Sequence, residues 1–203
     1  MVAGNRIKNV RSKTLSRFWA KLEKVSFDYC RSDGQWETQT REIYDRGHGA
    51  AILLYDLSRS TVILIRQFRF PVYRETGDGF LLEVPAGILE GDDPVATIIA
   101  ETEQETGFRI GRVQKIFTAF ASPGSMTERL HYFVSDYSVE DKCGRGGGLV
   151  NEGEDIEVLE VTFNQAMEWL QTGRIQDAKT ILLLQYAALH IFPPNVHEPE
   201  KPL

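Results

Sequence analysis

The chain is short of cysteine, of long apolar runs and of positive charge, and each shortage excludes a class of protein. Two cysteines in 203 residues, Cys30 and Cys143, cannot build a disulfide framework or a four-cysteine zinc site. A reducing, cytoplasmic compartment is the expectation. The longest apolar runs, such as Ile181–Leu184, fall far short of the roughly 20 residues of a membrane span, so no membrane association is expected. A secretory signal is not expected either, because no apolar stretch follows the basic start. With a net charge of −6, the chain lacks the cationic balance that nonspecific nucleic-acid binding needs. His48, His131, His190 and His197 have no metal-ligand spacing, and no Ser-His-Asp or Cys-His constellation can be assembled. A covalent nucleophile is therefore not expected, and no internal repeat is visible.

What is present is 42 % apolar and 26 % charged residues, enough for one globular domain with a sizeable core. The charge is uneven. Residues 1–24 carry seven Lys and Arg against Glu23, which leaves the remainder at −12. The basic start reads as a solvated arm, as an organellar targeting segment, or as an arm that brings cations to an anionic substrate or a partner subunit. The acidic remainder suits a protein that concentrates divalent cations.

Lys24–Arg31 and Trp36–Tyr44 are β-rich runs around Asp33-Gly34, which predicts an opening hairpin. Gly49–Asp56 and Thr61–Phe68 are nearly continuous apolar runs, the pattern of buried strands. Further strands are predicted over Phe80–Val84, Arg112–Ala119, Leu130–Val134 and Glu157–Thr162. Pro94 in a first turn, Asp92 or Asp93 as cap and Gly107 at the end bracket a helix. Two more helices are predicted over Asn164–Thr172 and Asp177–His190. Residues 138–153, rich in glycine, read as a long flexible loop and 193–203 as a frayed tail. A mixed sheet between helices, an α/β (α+β) class, is the natural product.

On the helix over 94–106, a rotation of about 100° per residue gathers Val95, Ile98, Ile99, Thr102 and Thr106 in one arc, with Glu101 and Glu105 on its flank. Like charges four residues apart repel by a few tenths of a kcal/mol, so something positive is expected between them. A hard cation with oxygen ligands, Mg²⁺ first, fits that description; a solvated acidic face is the alternative. Just before the helix, Glu83-Val84-Pro85-Ala86-Gly87-Ile88-Leu89-Glu90 runs an apolar strand into a glycine turn that lets backbone carbonyls approach a ligand. Arg66 and Arg69 end a buried strand, where guanidinium forks can clamp a pyrophosphate or form ordinary surface ion pairs.

This stretch resembles the box of the Nudix hydrolase family: a Gly, five residues, an acid, seven residues, then Arg-Glu-apolar-x-Glu-Glu-x-Gly-apolar. Here it reads Ala100-Glu101-Thr102-Glu103-Gln104-Glu105-Thr106-Gly107-Phe108, with Gly87 one residue late and Asp93 near the first acid. Ala100 replaces the Arg, Gln104 replaces a Glu, and Thr102 stands where an apolar residue is usual. Those departures imply a less preorganised site.

The resemblance extends from about residue 11 to 190 and is closest to the GDP-mannose pyrophosphatase branch, near the ADP-ribose pyrophosphatases. It is carried by residues 41–50, by Leu64–Arg69, by Ser122-Pro123-Gly124 with the Pro sixteen residues past Gly107, by Thr127–His131 and by Glu154–Glu160. It implies Ala86, Glu101, Glu105 and Glu154 as holders of Mg²⁺ or Mn²⁺, and Glu105, Glu152 and Glu154 as the catalytic carboxylates, with Glu152 the candidate base that activates water. It implies substrate contacts at Trp19, Arg41, Glu42, Arg69, Ala86, Gly87, Ile88, Glu105, Glu128, Gly153, Glu154 and Lys179. The fold implied is the Nudix α/β/α sandwich over 47–192, preceded by a dimerising arm and hairpin over 1–46. The partners implied are a nucleotide sugar and a second copy with a swapped N-terminal region. GDP-mannose hydrolysis to GMP and mannose 1-phosphate, ADP-ribose hydrolysis, and nucleotide-sugar binding without turnover all remain open at this level.

Overall fold

The computed structural model describes residues 6–89, 91 and 93–193. The tail expected over 193–203 lies outside the described residues from 194 onward, as do Asp92 and the side chain of Glu152. The chain divides into two compact units, residues 1–49 with 118–130, and residues 50–117 with 131–203.

The first unit is a three-stranded antiparallel sheet of β1 (Ile7–Arg17), β2 (Lys21–Cys30) and β3 (Trp36–Asp45), in that order. Gly34 takes φ 84° in the turn after β2, where the Asp33 carboxylate accepts from Gln35 N, so the predicted hairpin forms. The basic start, open between arm and targeting segment in the sequence, is a strand. Its eleven residues are all exposed, so no burial period marked it. Asn9 at φ 54° accompanies a register shift that breaks the alternation further. The segment between Ala121 and Glu128 lies against the end of β3, with Tyr44 N donating to Ser125 O at 2.8 Å and Thr127 N to Tyr44 O at 3.2 Å.

The second unit is built on β4 (Gly49–Asp56), β5 (Thr61–Phe68), β9 (Arg129–Asp136), β8 (Gln114–Phe120) and β10 (Glu157–Thr162), in the order β10-β5-β4-β9-β8. β6 (Phe80–Glu83) pairs with β5 and β7 (Ala86–Ile88) with β4. Both faces of β4 and β5 are buried, which explains their unbroken apolar runs. Ile52, Leu54 and Ile63 pack with Ile98 of α2 (Pro94–Thr106), Phe108 and Phe133. α3 (Phe163–Gln171) contacts β10 and β5, and α4 (Ala178–His190) contacts β6.

Two further elements escaped the sequence reading. α1 (Phe70–Thr76) buries none of its residues, so it carries no stripe; β7 has three residues and reads as a turn. The glycine-rich stretch 138–153, expected to be flexible, is tied down: Gly147 N donates to Glu105 O at 2.9 Å and Gly148 N to Gln104 O at 3.1 Å. Left-handed glycines reach those carbonyls at the end of α2, where helix acceptors otherwise go unpaired.

Candidate active site

α2 begins at Asp93, whose carboxylate accepts from Val95 N and Ala96 N, and ends at Gly107 with φ 71°. Its buried residues are Ile98, Thr102, Glu105 and Thr106. The expected arc is thus displaced: Val95 is exposed, and Glu105 belongs to the buried stripe rather than to its flank. Packing against β7 and the glycine run, one on each side of this turn, draws the carboxylate inward.

Glu105 is 2 % exposed and accepts from Ala86 N at 2.9 Å. Burial raises its pKa; the Ala86 amide works against that, while the Glu101 and Glu154 carboxylates add to it, and the result is about 8. A single hydrogen bond does not compensate a buried anion, so the position calls for a positive charge. Glu101 lies directly over Gly87, where a Cβ would run into its carboxylate. Glu154 lies in the same way over Gly148 and accepts from Leu149 N at 2.8 Å. Two glycines therefore make room for two carboxylates beside the buried third. Among the described residues no three acidic, His or Cys side chains converge tightly enough to hold an ion as they stand. The donor chemistry still fits a hard divalent cation: oxygen only, mutually repelling, with one member buried.

Glu83, at the end of β6, was not singled out by its sequence. It is 1 % exposed, and it accepts from Arg69 Nε at 2.8 Å, Arg69 Nη2 at 3.0 Å and Lys179 Nζ at 2.7 Å. Burial would raise its pKa, but the Arg69 hydrogen bond and the Lys179 charge outweigh burial and hold it below the usual carboxylate value. Lys179 also donates to Asp177 at 2.8 Å, and Asp177 caps α4 through Thr180 N at 2.9 Å. Thr180 Oγ1 in turn accepts from Val84 N at 2.8 Å. A buried acid in an apolar strand was the available signal; its position three residues before Ala86 gave it no place in the box. Arg66 has the plainer of its two roles, pairing with Glu157 at 3.2 Å and covering the Phe80 ring at 4.1 Å.

In the first unit, Glu128 is buried and pairs with Arg46 at 3.2 Å. The Arg46 guanidinium also lies 5.4 Å from the Trp19 ring centre, so Arg46, which the sequence did not flag, bridges two expected substrate residues. Arg41 and Glu42 are exposed on β3, opposite Val25 and Lys24. The Arg41 guanidinium is held by Thr40 O at 2.8 Å and Gln39 Oε1 at 3.0 Å.

A family model described as NUDIX domain matches residues 45–184, and one described as GDP-mannose pyrophosphatase NudK N-terminal domain matches residues 6–44. The chain is a Nudix hydrolase. Within the Nudix hydrolases it belongs with the GDP-mannose pyrophosphatases. It is 44 % identical over 192 residues to the GDP-mannose pyrophosphatase of Yersinia pestis (strain Pestoides F), covering 94 % of this chain and 96 % of the other. It is 46 % identical over 186 residues to that of Yersinia enterocolitica serotype O:8, covering 91 % and 96 %. With that of Escherichia coli O1:K1 / APEC it shares 45 % over 178 residues, covering 87 % and 92 %. A solved structure described as an ADP compounds hydrolase superposes with a TM-score of 0.69 at 17 % identity, over 92 % of this chain and 93 % of that one. That likeness shows the Nudix fold alone. Among the described residues no helix is long and apolar enough to cross a membrane.

Proposed function

We propose that this Nudix hydrolase cleaves the pyrophosphate bond of GDP-mannose, giving GMP and mannose 1-phosphate. The observation that carries the reading is the buried Glu105 between two further carboxylates, in a chain at least 44 % identical to GDP-mannose pyrophosphatases over nearly its whole length. The Ala86 carbonyl, Glu101, Glu105 and Glu154 would hold Mg²⁺, or Mn²⁺ in its place. The metal, when bound, would supply charge for the phosphate oxygens and acidify a water.

The protein's own groups do the rest. Arg69 and Lys179 face the diphosphate and take up its charge, and the backbone at Gly87, Ile88 and Gly153 approaches it closely, as glycine-bearing turns allow. Glu152 accepts the proton of the attacking water, a role that needs a carboxylate within one hydrogen bond of it. Trp19 stacks on the base, and Glu128 fixes that end of the substrate through its hydrogen bonds. Arg41 and Glu42 serve the site of a second copy in a homodimer with exchanged N-terminal sheets, working in the cytoplasm. The exposure of Ile7, Val10, Leu15, Phe18 and Trp36 supports a surface that another chain covers.

The test is turnover of a panel containing GDP-mannose, ADP-ribose and other nucleotide sugars by the purified chain, with Mg²⁺ and with chelator. Release of GMP from GDP-mannose, abolished by chelator, is expected. Binding without product release, or a clear preference for ADP-ribose, overturns the assignment. A scattering mass of two chains at micromolar concentration is expected; a monomer removes the dimer.

A further inference from the structure

We infer that Glu83 is a positioning residue for the proposed reaction, holding Arg69 and Lys179 as one preset pair of cations and keeping Arg69 off the carboxylates of α2. The inference rests on the reading that Arg69 and Lys179 receive the diphosphate.

The order of burial carries the first step. Within the cluster the Glu83 side chain is 2 % exposed, Lys179 17 % and Arg69 39 %. The anion therefore sits behind the two cations, and the cations stand between it and anything arriving from solvent. Donor accounting gives the second step. Arg69 has five N–H groups and Glu83 takes one on Nε and one on Nη2. Lys179 has three, of which Glu83 and Asp177 take one each. Both cations keep donors beyond the carboxylates that fix them, and a guanidinium gripped through Nε and Nη2 has its plane set in advance.

The third step concerns the competitor. The charge of Glu105 acts on Arg69, and that of Arg69 on Glu105. Without Glu83, the anions left to act on Arg69 are Glu105 and Asp177; Asp177 is already engaged by Lys179 and Thr180, and a direct Arg69–Glu105 pair would cancel the negative charge that suits Glu105 to a cation. The bidentate grip of Glu83 holds the guanidinium elsewhere. Stability alone does not account for the arrangement, because a buried ion pair commonly stabilises no more than apolar packing of the same volume. The anchor is itself braced: Lys179 to Asp177, Asp177 to Thr180 and Val84 N to Thr180 close a chain of hydrogen bonds that ties the start of α4 to the end of β6.

The test compares the full-length protein with Glu83→Gln, Glu83→Asp, Arg69→Gln and the double variant Arg69→Gln/Glu83→Gln. Two readouts are taken, affinity for inorganic pyrophosphate by calorimetry and kcat and KM for GDP-mannose with Mg²⁺. Glu83→Gln is expected to weaken pyrophosphate binding about tenfold and to raise KM in step, with a further fall in kcat. Glu83→Asp, which keeps the charge, should recover part of both, and it carries the test if Glu83→Gln does not fold. On the Arg69→Gln background, Glu83→Gln should add less than on wild type, since a residue acting through another gives a non-additive cycle. Additive losses, or pyrophosphate affinity within twofold of wild type in both Glu83 variants, overturn the inference. If wild type leaves GDP-mannose intact, the proposed function fails by itself, and the pyrophosphate measurements still decide Glu83.

Discussion

The two units of the chain treat their large apolar side chains in opposite ways. In the second, Ile52, Leu54, Ile63 and Ile98 are fully buried between a sheet and a helix; in the first, Phe18 is 97 % exposed, Trp19 stands open beside it in the turn after β1, and Val10 and Trp36 stand open on the sheet. The second unit also holds the proposed chemistry, Glu101, Glu105 and Glu154 on and beside α2 and two cations on Glu83. The first unit offers an aromatic ring, an arginine and a buried Glu128 without a core of comparable size. The contrast matches the proposed division, in which the second unit carries the reaction and the first supplies substrate contacts and the exposed face proposed to meet a second copy.

The largest test of that division is at the buried acid. Glu105→Gln should lower Mg²⁺-dependent turnover by about a hundredfold or more while circular dichroism and the unfolding midpoint stay near wild type. Near-normal turnover would remove the second unit from the chemistry. Ile98→Ala, in the same helix, should cost about 2–5 kcal/mol in denaturant unfolding, as large-to-small changes in a closed core do. Asp93→Ala should cost about 1 kcal/mol by leaving Val95 N and Ala96 N without their acceptor.

Acid should act on the same unit through Glu83. Its folded pKa lies below the ordinary 4.5, so its contribution is complete above that value and fades as pH falls through the lower folded one. Glu83→Gln should flatten the stability profile as pH falls below 4.5; an unchanged acid limb would mean the pairing adds nothing to stability. The smallest effect is expected in the first unit. Phe18→Ser should change the stability of dilute protein by under about 0.5 kcal/mol and weaken self-association in sedimentation. A large loss of stability there would erase the contrast between the units.

How much the sequence disclosed follows the same line. β4, β5 and α2 were bounded to the residue because nearly continuous burial in the strands, and a cap beside Pro94 with a left-handed Gly107 at the ends of the helix, leave clear marks. β1 and α1 were missed because neither buries a residue, and a periodicity is visible only where one face meets a core. At the site, the spacing of Glu101 and Glu105 was legible, whereas the depth of Glu105 was not, since it depends on β7 and on glycines more than forty positions later. Glu83 and Arg46 were hidden for a related reason: each is defined by partners that are remote along the chain or unremarkable in composition.

Gly87 and Gly148 have a consequence for how such a protein can vary. At both positions the smallest possible addition, one methyl, falls on a carboxylate, so no side chain enters without turning Glu101 or Glu154 aside. A library randomised at these two codons should return glycine alone among its active members, while the exposed neighbours Ala100 and Gln104 on the outer surface of the helix drift freely. Latitude at this site is thus set by empty space.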